Sequence, residues 1–104
     1  ATRYIHKLER EFMYIHDRKE RQNMVLASYN GGILHIQDAM RLAERDHRNP
    51  QRWEDVRTYV LHLTDPHYYQ DTLVQHGYMR GTETADYVDR IRAQYNQYAR
   101  QVRQ

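Results

Sequence analysis

The chain has 104 residues, 39% of them hydrophobic and 29% charged, with no cysteine and a formal net charge of +2. That length accommodates one small domain with a core of modest size. Disulfide and thiol chemistry are excluded, and no apolar run approaches the ~18 residues of a membrane span.

Read in order, the pattern is one of helices joined by short polar connections, with no strand candidate, internal repeat or low-complexity segment, so the fold class is all-α. A first helix is predicted from Thr2 to about Tyr14, with Tyr4, Leu8 and Phe12, together with Ile5, on one face. Asp17 followed by Glu20 is a capping-box-like start for a second helix. Its residues Met24, Val25, Leu26 and Ala27 are apolar almost all round, which predicts a central helix buried on most sides. Gly31 or Gly32 then supplies the left-handed residue that stops it. In the third helix Ile33, Ile36, Met40 and Ala43, with Ala39, repeat at three and four residues. Asn49-Pro50 permits a new start, and Trp53, Val56, Tyr59 or Val60, and Leu63 form the stripe of the fourth. From Thr64 to Gly81 the prolines, glycines and tyrosines argue for a short helix plus an ordered loop. Thr82 is a candidate cap for the last helix, whose inner stripe reads Tyr87, Val88, Ile91, Tyr95, Tyr98 and Val102.

Self-contained chemistry is sparse. None of the seven histidines is paired at the three- or four-residue spacing that puts two metal ligands on one helical face, so no metal site is expected. There is no phosphate-binding glycine loop and no nucleophile elbow, and no cofactor is expected. Glu9 with Glu11 and Glu54 with Asp55 sit in strongly polar contexts that suit solvated carboxylates. Fourteen of the sixteen basic residues are arginine, which raises a nucleic-acid reading. Glu44, Asp46, Glu54 and Asp55 interrupt the stretch from Arg41 to Arg57, and Asp86 and Asp89 flank the Arg90–Arg103 run, as on solvated helix faces.

Two stretches carry a recognisable constellation. Tyr29 and Asn30 follow the apolar helix and precede the double glycine. A tyrosine offers a flat apolar face with a polar tip, and an asparagine both donors and an acceptor, which suits sugar rings and N-acetyl groups. The same residues are also ordinary helix-ending chemistry. Likewise Tyr68, Tyr69 and Tyr78 either line the wall of a groove or pack their own loop.

The string LASYNGGILHIQDAMRLA, Leu26 to Ala43, resembles the Ala-Tyr-Asn-Ala-Gly signature of the lytic murein transglycosylases of the soluble type, with Ser28 and Gly31 in place of the two alanines. About fifty residues on, GYMRGTETADYVDRIRAQY, Gly77 to Tyr95, resembles the closing element of that family, an acidic-Thr pair before a Tyr-Val helix. The Asn-Pro-x-x-Trp-x-Asp-Val stretch at Asn49 to Val56, with Tyr68-Tyr69, most resembles the membrane-bound F-type branch.

The resemblance covers nearly the whole chain and implies that residues 1–104 are the C-terminal portion of a lysozyme-like, all-α transglycosylase domain of about five to six helices. The family carries its catalytic glutamate in an earlier Glu-Ser step followed by a Gly-Leu-Met-Gln loop, and neither string occurs here. The implied activity is cleavage of the β-1,4 bond between N-acetylmuramic acid and N-acetylglucosamine to a 1,6-anhydro product, with this segment binding glycan and supporting an upstream acid. Asn30 matches the family asparagine that reaches the N-acetylated sugar, Tyr29 its supporting tyrosine, Tyr87 the late tyrosine near the acid, and Glu83 the acidic residue before it. Gly31 and Gly32 would let the chain turn under the substrate.

The implied partners are peptidoglycan strands, the N-terminal half of the same domain and, through apolar faces of the Met24–Ala27 and Tyr87–Tyr98 helices, a second copy; the implied location is the periplasm or bacterial cell envelope. A non-catalytic peptidoglycan-binding module and an Arg/Tyr-rich nucleic-acid binder are the alternatives.

Overall fold

Residues 1–103 are described by a computed structural model, and among them six helices and no strand occur: α1 (Thr2–Glu11), α2 (Arg18–Gly31), α3 (Ile33–Arg45), α4 (Trp53–His62), α5 (Pro66–Tyr69) and α6 (Gly81–Arg103). Helix α2 is the hub, packing against α1, α3, α4 and α6. Met24 and Ala27 are fully buried and Val25 nearly so, as a helix apolar on most sides requires. Of the apolar face expected at Met24–Ala27, Met24, Val25 and Ala27 are covered, whereas Leu26 stays half-buried and lines a groove with Ile5, Val25 and Tyr95.

The caps follow the sequence in part. Asp17 accepts the Glu20 N–H at 3.0 Å, but the Glu20 carboxylate does not return to α2. It accepts the backbone N–H of Trp53 at 2.6 Å instead, so one carboxylate caps the start of α4 and ties it to α2. Gly32, with φ 95° and ψ 131°, is the single residue between α2 and α3, ending one and starting the next. That backbone conformation is accessible to glycine alone at low cost, so Gly32 makes the turn while Gly31 remains helical. Helix α1 stops at Glu11, and Phe12 and Ile15 bury themselves from the turn that follows. Tyr4 is exposed despite its place on the apolar stripe.

After α4 the chain depends on a buried carboxylate. Asp38, on α3 and with no exposed surface, accepts the backbone N–H groups of Gln75 and His76, each at 3.0 Å, and bonds Arg41. A buried charge is tolerated only with such a set of partners. Asp38 thereby pins the irregular segment between α5 and α6 to the body of the protein.

Helix α6 begins at Gly81 rather than at a Thr82 cap; Thr82 lies in its first turn, facing solvent. Gly81 is buried against α4, where an added Cβ would fall 1.8 Å from the carbonyl oxygen of Val60. The inner stripe of α6 holds only at its start. Val88 is fully buried and Tyr87 and Ile91 half-buried, whereas Tyr95, Tyr98 and Val102 are exposed. No described helix is long and apolar enough to cross a membrane.

Two outcomes follow from this packing. Gly81→Ala forces α6 away from the backbone of α4, an overpacking cost of about 1–3 kcal/mol; thermal denaturation should show a melting temperature lower by roughly 5–15 °C, and an unchanged value would mean that α6 does not sit on α4 as described. The second concerns acid. The Asp46 carboxyl is held below the usual carboxylate range, first by the Arg45 hydrogen bond and then by the Tyr59 hydroxyl; Asp71 is lowered first by the Leu73 N–H and further by Arg45. A carboxyl depressed in the folded state contributes stability above its ordinary value near pH ~4 and loses it as pH falls through the lower, folded value. The melting temperature should therefore decline below about pH 4, and in Arg45→Met both carboxyls, followed by NMR titration, should move up toward the ordinary range.

Candidate functional site

A cleft of about 630 Å³ lies where the C-terminus of α2 meets the start of α6. Asn30 and Gly31 come to it from the last turn of α2, His35 from the first turn of α3, Tyr78, Met79 and Arg80 from the connection before α6, and Glu83, Thr84, Asp86, Tyr87 and Arg90 from α6 itself. Helical spacing explains the α6 set, since residues 83, 86, 87 and 90 share one face. Across the cleft the Thr84 hydroxyl donates to Asn30 Oδ1 at 2.8 Å, joining residues 54 positions apart.

Five of the residues singled out from the sequence meet here: Asn30, Gly31, Tyr78, Glu83 and Tyr87. Four do not. Tyr29 points to the other side of α2, its ring 6.0 Å from that of Tyr4. Gly32 lines a separate shallow depression with Tyr4 and Leu34. Tyr68 stacks on His62 with ring centroids 4.3 Å apart, and Tyr69 stands edge-on to Tyr78 at 5.8 Å. Both pack against the core, so they take the loop-packing alternative, with Tyr69 bracing the exposed ring of Tyr78. That leaves Tyr78 as the one flat aromatic face of the three that opens on the cleft.

His35, Met79, Arg80, Thr84, Asp86 and Arg90 also line the cleft, and sequence reasoning did not select them. The i, i+3 and i+4 neighbours of Glu83 and Tyr87 would have indicated Asp86 and Arg90; nothing in the sequence marks His35. Its Nδ1 is buried without a hydrogen-bond partner among the described residues.

The charges around the cleft balance, with Arg80 and Arg90 against Glu83 and Asp86. Arg80 and Glu83 approach to 3.6 Å on the exposed rim, and the Arg90 guanidinium lies 5.8 Å from the Tyr87 ring centroid. Glu83 and Asp86 both face solvent, unlike the enclosed apolar setting in which a carboxylic acid is kept protonated for catalysis. The arrangement suits a ligand that is polar and roughly neutral along its length, met by hydrogen bonds and one aromatic face.

The arginines of the central stretch are engaged elsewhere. Arg45 binds Asp46 and Asp71 at 3.0 and 2.8 Å, and Arg57 binds Asp89 through two hydrogen bonds of 3.2 and 2.5 Å. Arg41 pairs with Asp38, while Arg48 and Arg52 share Asp55 at 3.7 and 3.6 Å. Each of these positive charges has a carboxylate beside it.

The membrane-bound lytic murein transglycosylase F of Cellvibrio japonicus is 45% identical to the chain over 73 residues, 70% of the chain and 14% of that relative. The protein of the same name from Shewanella oneidensis is 43% identical over 77 residues, covering 74% of the chain and 16% of the relative. That of Desulfosudis oleivorans is 37% identical over 93 residues, 89% and 20%. No protein-family model matches the chain. Over 70–89% of its length the chain is similar to a segment of these membrane-bound lytic murein transglycosylases, the F-type branch indicated by Asn49–Val56 and Tyr68-Tyr69. It spans 14–20% of the length of these relatives.

Proposed function

We propose that this chain forms one wall of the glycan cleft of a peptidoglycan lytic transglycosylase in the bacterial cell envelope, as the C-terminal portion of a lysozyme-like catalytic domain whose acid lies on an upstream segment. The observation that carries this reading is the meeting of Asn30, from the Tyr-Asn-Gly-Gly stretch, with Thr84 and Tyr87, from the Glu-Thr-x-x-Tyr-Val stretch, in one cleft. The names of the relatives supply the substrate class.

In this reading the carboxylic acid protonates the glycosidic oxygen as the C1–O bond breaks, and the 6-hydroxyl of the muramic sugar then bonds to C1, its proton returning to the carboxylate. The product is a 1,6-anhydro sugar, and no water is consumed. One carboxyl thus serves both proton transfers, in contrast to the two-carboxylate arrangement of most glycosidases. The remaining work is positioning, worth up to ~7–11 kcal/mol when the reacting atoms are held in line, and it falls to the residues of this cleft. Asn30 holds the N-acetylated sugar by hydrogen bonding. Tyr78 offers its ring to a sugar face. Tyr87, half-buried and reaching the cleft, sets its hydroxyl toward the acid. Glu83 and Arg80 on the rim meet the polar substituents of the strand.

In the full-length protein, Asn30→Ala should lower peptidoglycan turnover by the roughly 5- to 150-fold that corresponds to about 1–3 kcal/mol for an unpaired polar partner. Tyr87→Phe keeps the ring and should leave the melting temperature within a few degrees while turnover falls substantially; equal losses of stability and activity in that variant would assign Tyr87 to packing. The 104-residue chain by itself should not clear a suspension of purified cell walls, and clearing should return when the upstream segment is present in the same chain or added in trans. Clearance by the chain alone would place an acid within these residues. Sedimentation should show concentration-dependent association of the isolated chain through its exposed apolar residues, among them Tyr95, Tyr98 and Val102. Binding of glycan with no clearance even in the restored chain would favour a non-catalytic binding module.

A further inference from the structure

The contact between Asn30 and Thr84 does more than hold two helices together. Thr84 is almost completely buried, and its hydroxyl has one proton to place. The acceptor that the fold supplies for it is Asn30 Oδ1, at 2.8 Å. With the carboxamide turned the other way, the Thr84 hydroxyl would accept from the NH2 group and its own proton would need a different acceptor, and Oγ1 makes no other hydrogen bond among the described residues. The orientation of Asn30 is therefore set from α6. Its oxygen is turned inward to Thr84 and its NH2 group is left for the cleft, with no protein acceptor among the described residues.

Gly31 belongs to the same arrangement. It is helical and needs no special backbone, yet a Cβ there would fall 2.5 Å from Thr84 Oγ1 and 2.5 Å from the terminal methyl of Met79. The missing side chain is the space in which the Thr84 hydroxyl reaches Asn30.

We infer that Thr84 is a positioning residue that fixes the polarity of Asn30, making it a hydrogen-bond donor toward the cleft and selecting a ligand group that accepts there, such as the carbonyl of a sugar N-acetyl group. The ligand's identity rests on the glycan reading above; the polarity of Asn30 does not. An ammonium group at the same place gains less, because a donor-only ligand atom meets a donor.

The test separates the two. In the ligand-free chain, the side-chain amide signals of Asn30 are followed by 15N NMR in Thr84→Val, which keeps the shape and removes the hydroxyl, and in Thr84→Ser, which keeps the hydroxyl. Binding of chitotriose, a soluble N-acetylglucosamine oligomer, is measured on the same proteins. Thr84→Val should shift the Asn30 amide signals and weaken chitotriose by about five- to tenfold, with Thr84→Ser close to the parent in both. Asn30→Asp, which replaces the donor by an acceptor of the same shape, should weaken it more than tenfold. Should Thr84→Val fail to fold, Gly31→Ala crowds the same hydroxyl from the opposite side and should move the same Asn30 signals. Unmoved Asn30 signals in Thr84→Val, or in Gly31→Ala where that variant stands in, would overturn the inference, as would parental chitotriose affinity in Asn30→Asp. Movement of the Asn30 signals in a parent chain that binds no chitotriose would leave the positioning role standing and remove the glycan reading.

Discussion

Helix α6 can lie where it does because residue 81 has no side chain. At Gly81 the helix rests directly on the carbonyl of Val60, closer than any Cβ permits. From that contact the register of α6 is fixed. One turn on, Thr84 is driven into the interior beside the end of α2, and a further turn brings Val88 to the core and Tyr87 to the cleft edge. The cleft is the gap left between two helices whose approach is set by two small residues, Gly81 against α4 and Gly31 against Thr84.

The opposite wall is held by a different device. The connection from α5 to α6 contains too little regular structure to hold itself, and its backbone N–H groups at Gln75 and His76 need acceptors. Asp38 provides them from the middle of α3, and the Met79 N–H donates to the Leu63 carbonyl at 3.2 Å. With the segment anchored at both points, Tyr78 is presented outward on the brace of Tyr69. Removing charge from solvent is expensive, and three partners for one carboxylate are what make Asp38 a clamp rather than a liability.

These constraints give the cleft its chemical character. It has polar groups, the rings of Tyr78 and Tyr87 and balanced rim charges, and its two carboxylates face solvent. Such a surface suits a polar ligand met by hydrogen bonds and aromatic contact. The buried Ser28 hydroxyl has no hydrogen-bond partner among the described residues and does not line the cleft.

The helices themselves were legible in the sequence because apolar spacing at three and four residues survives any tertiary context: Leu8 with Phe12, Ile36 with Met40 and Ala43, and Trp53 with Val56, Val60 and Leu63 all lie in the core. The two stretches that meet in the cleft were also visible, as strings. What spacing along the chain cannot carry is which polar group answers which. Glu20 looked like half of a capping box and instead caps α4, thirty-three residues away. Asp38, which nothing in the local pattern singles out, is the buried anchor of a loop. Tyr68 and Tyr69 could equally have faced a groove or a core, and Tyr29 follows the same helix as Asn30 yet leaves on the other side, because adjacent helical residues diverge by about 100°. The sequence by itself determined the elements and their buried stripes, which depend on local periodicity; the tertiary structure alone decided the partners, since hydrogen bonds between groups dozens of residues apart exist only once the helices have packed.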